Sequence, residues 1–195
     1  NEAQALAKKI NNKGSLCQSF ISYGINEAND GNYAKSQEHY LTALRLAEEV
    51  NWKRGKAICL NNIAENYNTL KQTDKALDYT LKALAFNQTE NQKRGQAINY
   101  EMLGRIYFER KEYSKSLAYY KQGLEVGLQA TDNYQIVPQL MIGIGKNYAV
   151  QNDFKQAFEY FGKATVLSEQ HNEKLVQIQG NKQTAITYRL RKDYP

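Results

Sequence analysis

Residues 97–124, AINYEMLGRIYFERKEYSKSLAYYKQGL, decide the fold. Tyr100, Leu103, Gly104 and Tyr107 stand at i, i+3, i+4 and i+7, one face of a helix. A polar break, Arg110-Lys111-Glu112, follows, and beyond it Tyr113, Ser116, Tyr120 and Leu124 mark a second helix on the same rule. A glycine inside a helix costs about 1 kcal/mol relative to alanine, so Gly104 needs a reason. The reason is close approach: a side chain larger than methyl would hold the two helices apart. The stretch reads as a helical hairpin.

The hairpin recurs. Tyr33, Thr73, Tyr113, Phe154 and Tyr194 open successive second helices at separations of 40, 40, 41 and 40 residues, a period that marks a repeat array. Three places on stand the small residues Ser36, Ala76, Ser116 and Ala157. Four further come Tyr40, Thr80, Tyr120 and Phe161, then Ala43, Ala83, Gly123 and Ala164. In the first helices Phe20, Leu60, Tyr100 and Met141 begin the buried stripe. Tyr23-Gly24, Ile63-Ala64, Leu103-Gly104 and Ile144-Gly145 continue it, and Tyr67, Tyr107 and Tyr148 close three of the four. Asn11, Asn51, Asn91 and Asn172, with Thr131-Asp132 in the remaining repeat, fall where the long second helices must end. Asparagine tolerates the left-handed conformation that closes a helix. Turns within hairpins fall at Asp30-Gly31-Asn32, Lys71-Gln72, Arg110-Lys111-Glu112, Gln151-Asn152-Asp153 and Lys192-Asp193.

These positions resemble the tetratricopeptide repeat signature, W-x2-L-G-x2-Y followed by A-x3-F, from about Cys17 to Tyr194. Two departures are visible: the period is 40 and not 34, and the proline that normally ends the second helix is missing. Six further helical residues add about 9 Å per repeat at 1.5 Å rise. HEAT and armadillo repeats share the longer period but lack this Gly/Ala and Tyr spacing. The resemblance implies an all-α fold, a right-handed superhelical solenoid of antiparallel helix hairpins, forming a single array over residues 1–195. It comprises a partial leading helix over 1–11, hairpins over about 14–51, 53–91, 94–132 and 135–172, and an unpaired first helix over 175–192. Ala3 and Ala7 align with Ala43 and Ala47. On this reading the chain is cut from a longer solenoid. Ile178, Ile186 and Tyr188 then present exposed apolar surface through which molecules associate end to end.

Composition narrows the chemistry. Two prolines in 195 residues suit an all-helical chain. A net charge of +6 permits acidic partners, but the basic residues are spread along every hairpin, so no nucleic-acid partner is expected. No apolar run approaches the ~20 residues of a membrane span, so no membrane insertion is expected of this segment. There is no GxSxG, P-loop or HExxH, and His39 and His171 stand alone, so neither enzyme activity, metal nor cofactor is expected. Cys17 and Cys59 form no metal-spaced pair and read as small apolar filler. The fifteen tyrosines include Tyr79, Tyr119 and Tyr160 at one repeated place on second helices, which predicts ring packing between hairpins.

Positions two, five, nine and twelve of each first helix point away from its own seam. In the family resembled, that side lines a concave groove for extended or helical peptides. Here it carries Gln18, Ile21, Ile25 and Ala28, then Ile58, Asn61, Glu65 and Asn68, then Ile98, Glu101, Arg105 and Phe108. The later helices add Gln139, Ile142, Lys146 and Ala149, and Gln179, Lys182, Ile186 and Arg189. The groove so read is apolar at its start, mixed in the middle and basic at its end. It matches a protein or peptide ligand with apolar anchors and acidic character. The candidate contacts are Asn61, Asn62, Glu65, Asn68, Glu101, Arg105, Phe108, Ile142 and Lys146. Asn61 and Asn62 suit a peptide backbone, since an amide both donates and accepts. The alternative for Glu65, Glu101, Arg105 and Lys146 is that they solvate the surface or pair across adjacent helices. The carboxylate clamp of chaperone-tail receptors is not matched: its places fall on Ile21, Ile25, Asn62, Ile98 and Met102, of which Asn62 alone fits. The long period and missing proline resemble repeats of bacterial signalling proteins. The expectation is therefore a sensory or regulatory recognition module, the alternative a scaffold assembling through its end hairpins.

Overall fold

The computed structural model describes Glu2, residues 12–131 and residues 135–191. Among these every regular element is an α-helix, and the fold is an all-α, tetratricopeptide-like solenoid of helix hairpins. The helices are α1 (Lys13–Asn29), α2 (Tyr33–Glu49), α3 (Lys53–Thr69), α4 (Thr73–Thr89), α5 (Lys93–Glu109), α6 (Tyr113–Gly127), α7 (Ile136–Val150), α8 (Phe154–Gln170) and α9 (Lys174–Arg191). The predicted leading helix over 1–11, Glu2 apart, with Asn11, the cap at Asp132, and Lys192, Asp193 and Tyr194 lie outside the described residues. A helix of 17 residues and a three-residue turn, repeated twice, make the 40-residue period. The added length is thus shared by first and second helices, whereas the sequence reading placed long helices in the second position.

The turns explain the boundaries. Asn51, Asn91 and Asn172 adopt φ of 52°, 51° and 56°, the left-handed geometry expected of them. Within hairpins Gly31, Lys71, Lys111 and Asn152 take the same conformation, at 79°, 58°, 61° and 62°. In each case the next amide reaches back five residues, as Gln72 N to Tyr67 O at 2.9 Å and Trp52 N to Ala47 O at 2.7 Å, so the last carbonyls of the helix are satisfied. The Asn12 side chain accepts from Ser15 N and that of Asp153 from Gln156 N, capping α1 and α8 at their starts.

The chain divides into two compact units, one up to Phe86 and one from Asn87 onward. In the first, Cys17, Ile21, Tyr40, Ala43, Cys59 and Ile63 form the core. In the second, Ala97, Tyr120, Val137, Leu140 and Ile144 form one cluster, and Ile142, Ala157, Phe161, Ala164 and Val176 another.

In the first, third and fourth hairpins the glycine has the predicted role, and its partner is a ring. A Cβ on Gly24 would lie 2.6 Å from the Tyr40 ring, on Gly104 2.7 Å from Tyr120, and on Gly145 2.5 Å from Phe161. In the second hairpin Ala64 and Thr80 hold the same two places, both buried. Glycine therefore faces an aromatic ring, and the hairpin that lacks the glycine also lacks the ring.

The other tyrosines correct one expectation. Tyr79, Tyr119 and Tyr160 lie beside Tyr67, Tyr107 and Tyr148 at 5.5, 5.3 and 5.8 Å between centroids. These rings belong to the two helices of one hairpin, so this row packs within hairpins and not between them. Their register explains it, because positions 67 and 79 face each other across one seam.

Polar bridges join successive hairpins inside each unit. Ser36 donates to Gly24 O at 2.7 Å and receives Asn66 Nδ2 at 2.8 Å. Ser116 donates to Gly104 O at 2.8 Å and receives Asn147 Nδ2 at 2.9 Å. All four side chains are buried.

Candidate protein-interaction surfaces

Helical spacing puts Asn61, Asn62, Glu65 and Asn68 along one side of α3 in the first unit. Asn61, Asn62 and Glu65 are half-buried, whereas Asn68 is buried at 7% exposure. Asn61 and Glu65 both have polar or electrostatic partners. Upstream on α1, Ile25 is exposed, but Ile21 lies in the core at 2%.

The second unit holds the more developed patch. Glu101, Arg105 and Phe108 follow one another at i, i+4 and i+7 on α5, and Ile142 and Lys146 at i and i+4 on α7. The ammonium of Lys146 sits 4.6 Å from the centre of the Phe108 ring, a cation–π contact that joins the two helices. The Phe108 ring also meets the Tyr113 ring edge to face, at 5.3 Å between centroids. Arg105 Nη2 donates to Met102 Sδ at 3.0 Å. Ile142 is nearly buried, at 7% exposure, so the open part of the patch is the half-buried group Glu101, Arg105, Phe108 and Lys146.

Charge across this patch is shared. Burial pushes the Lys146 ammonium below the usual lysine value of 10.5; Glu101 and Glu109 oppose that shift, and Arg105 adds to it. Beneath lies Tyr120, 3% exposed, its phenol pushed up chiefly by burial and also by Glu101 and Glu109. Tyr120 is held between two glycines: a Cβ on Gly143 of α7 would approach its ring to 2.2 Å, and one on Gly104 of α5 to 2.7 Å. The ring is a rigid floor between the helices that carry the charged side chains. Gly143 and Tyr120 were not singled out for this role in the sequence; the signal was a glycine where other repeats have Asn62 and Met102.

The remaining chemistry is quiet. Cys17 donates its thiol to Ala43 O at 3.1 Å, and burial raises its pKa. The Cys59 thiol is pushed up to about 12, by burial first and by Cys17 second. Such thiols are poor nucleophiles. Among the described residues no group of three His, Cys, Asp or Glu is placed to hold a metal ion, and no helix is long and apolar enough to cross a membrane.

Comparison with known proteins bears on the fold. Tetratricopeptide repeat models match residues 15–89 and 97–126. No curated protein matches the sequence. Among solved structures, BtubC from P. vanneervenii superposes with a TM-score of 0.71 at 20% identity, over 83% of this chain and 66% of that one. Aspartyl phosphate phosphatase F from Bacillus subtilis superposes with a TM-score of 0.81 at 16% identity, over 88% of this chain and 45% of that one. A signal transduction ATPase of the STAND class with a tetratricopeptide repeat sensor, from Pyrococcus horikoshii, gives 0.79 at 18% identity, over 99% of this chain and 30% of that one. The chain thus spans less than two thirds of the length of these structures. At such identities they speak to fold alone. With the hairpin period, the glycine–ring seams and the matched repeats together, the chain belongs to the tetratricopeptide repeat family, whose members serve as protein-interaction modules.

Proposed function

We propose that this chain recognises a segment of a partner protein or a peptide through the faces of its first helices. In the second unit the contact is the patch of Glu101, Arg105, Phe108, Ile142 and Lys146. In the first it is Asn61, Asn62, Glu65 and Asn68. The observation that carries the reading is the Lys146–Phe108 contact, an ammonium and an aromatic face offered together at a half-buried position. A ligand side chain with a carboxylate next to an apolar anchor would meet both: the anchor covers the Phe108 ring while the carboxylate competes with Glu101 and Glu109 for Lys146 and Arg105. The tetratricopeptide structures that resemble this chain support a regulatory setting. One is a STAND protein with a repeat sensor, and another is a Rap protein complexed with competence and sporulation factor, which matches over 93% of this chain at 19% identity. The chain is then the sensory or regulatory portion of a larger bacterial signalling protein.

The test is an array of twelve-residue peptides varied in acidic and apolar content, probed with the 195-residue chain. Acidic–apolar peptides should bind best, and Phe108→Ala and Lys146→Ala should each weaken them about tenfold, which corresponds to ~1.4 kcal/mol. Binding unchanged in both variants would overturn the assignment. For the regulatory setting, a full open reading frame encoding nothing but further repeats would contradict the proposal.

A further inference from the structure

The chain has two cysteines in 195 residues, and both fall at one junction of the first unit. Cys17 lies on α1 and Cys59 on α3, each 0% exposed, in the cluster that also holds Ala43 and Ala47 of α2. The Cys17 thiol is turned toward α2, whose Ala43 carbonyl it meets at 3.1 Å. The helices α1 and α3 themselves approach within 8 Å between Cα atoms.

The second unit shows what these places bring together. Ala97, Leu140 and Gly127 hold there the places that Cys17, Cys59 and Ala47 hold in the first. A Cβ on Gly127 would lie 3.5 Å from Ala97 Cβ and 3.5 Å from Leu140 Cδ1, so side chains from two successive first helices converge on one point of the second helix they share. Asn87 and Asn99 hold the places of Ala47 and Cys59 one repeat on, and they are joined by a hydrogen bond of 2.7 Å. Over Ala47 the two converging side chains are thiols. Their electrostatic contact agrees, since Cys17 adds to the upward shift of the Cys59 thiol.

We propose that Cys17 and Cys59 are a redox pair that closes into a disulfide joining α1 to α3, with a low-molecular-weight disulfide such as oxidised glutathione as the oxidant. One cysteine thiolate attacks the oxidant's S–S bond, forming a mixed disulfide and expelling one glutathione thiolate. The second cysteine sulfur then attacks the first, the mixed disulfide breaks, and the other glutathione leaves. The two protons lost by the cysteines pass to the two glutathione thiolates, so the cysteines are oxidised and one glutathione disulfide is reduced. Burial raises both thiols, so the exchange waits on transient opening of the first hairpin and is slow in the closed chain. Once formed, the bond ties the first hairpin to the second at the junction over Ala47. It involves none of the α5–α7 patch, so the two proposals stand or fall independently.

The experiment brings the folded 195-residue chain to equilibrium in glutathione buffers of graded ratio, quenches with acid, alkylates, and repeats the series in urea. The intact mass should fall by two hydrogens, and digestion should release a peptide pair joined through Cys17 and Cys59. Because folding brings the sulfurs together, half-oxidation of the folded chain should need a buffer at least about tenfold less oxidising than in urea. The oxidised chain should also melt above the reduced one. Cys17→Ala installs the residue that the repeat carries at Ala57 and Ala97; it should fold, show no loss of mass at any ratio, and melt at the same temperature throughout the series. A folded chain that oxidises no more readily than the chain in urea would overturn the proposal. So would glutathione adducts or dimers in place of the internal bond; either result would leave the two cysteines as packing alone.

Discussion

A methyl group at residue 104 would raise helix propensity by about 1 kcal/mol, yet the chain keeps glycine there. The Tyr120 ring accounts for it, because the ring cannot retreat from Gly104 without pressing on Gly143. Gly104→Ala is therefore expected to destabilise despite the better propensity, and Gly104→Leu by roughly 1–3 kcal/mol or more. Tyr120→Thr added to Gly104→Ala recreates the Ala64–Thr80 pair. In a denaturant double-mutant cycle the combined loss should fall well short of the two single losses added together, whereas strict additivity would contradict the fit. Titration gives two further tests. Because Cys59 is raised to about 12 in the folded chain, it binds its proton there after the unfolded thiol has lost it. Its contribution to stability is full below the ordinary thiol value of 9.0 and is lost as pH rises toward 12, so Cys59→Ala should reduce the alkaline loss of stability followed by circular dichroism. Lys146 has the opposite sign. Its lowered folded pKa means the unfolded chain holds more protons in the window below 10.5, so this group's contribution to stability grows with pH across that window. A ligand carboxylate beside the ammonium would raise that pKa again. Binding of an acidic peptide should then take up protons in the alkaline window and weaken as pH rises, a dependence Lys146→Met should remove in calorimetry.

At the scale of elements, the polar bridges fix how one hairpin seats on the next. Asn147→Ala should leave Ser116 without its donor in a buried site and cost about 1–3 kcal/mol. The pair Ser116→Ala with Asn147→Ile, using the residue types the repeat carries at Ala76 and Ile106, should recover most of it in thermal unfolding. The turns have a smaller reserve. Lys71 and Lys111 hold left-handed backbone that glycine adopts at no steric cost, so Lys111→Gly should raise stability by up to about 1 kcal/mol. Among the described residues, helix periodicity and the asparagine stops at Asn51, Asn91 and Asn172 were legible in the sequence because a 40-residue period repeats each of them. The left-handed lysines were not, since lysine carries no turn preference of its own; the position compels it. Nor were the Ser–Asn bridges, whose partners lie 30 and 31 residues apart and recur in alternate hairpins, a spacing that a search at a single repeat length passes over.

For the whole molecule, the seams absorb the rings and small residues, and part of the outer sides of the first helices stays half-buried or exposed. Sequence reading placed Arg105, Phe108 and Lys146 on the outer sides of α5 and α7 because position within the helix predicts which side a residue takes, and Lys146 does meet Phe108 there. It could not see that Ile142 and Asn68 would be nearly covered, because that depends on how neighbouring helices close over them. It also read the middle of the groove residue by residue, whereas Glu101, Glu109 and Arg105 all act on the one ammonium of Lys146. Arg105→Ala is accordingly expected to leave the melting temperature nearly unchanged while weakening acidic ligands; unfolding of that variant would reverse the assignment of faces. The most direct test of the recognition reading is amide hydrogen exchange of the 195-residue chain, with and without the tightest acidic–apolar peptide from the array. Slowed exchange concentrated in α5 and α7 around residues 101–108 and 142–146, and absent in Lys146→Ala, is the expected result. Protection confined to other helices, or unchanged by Lys146→Ala, would contradict it.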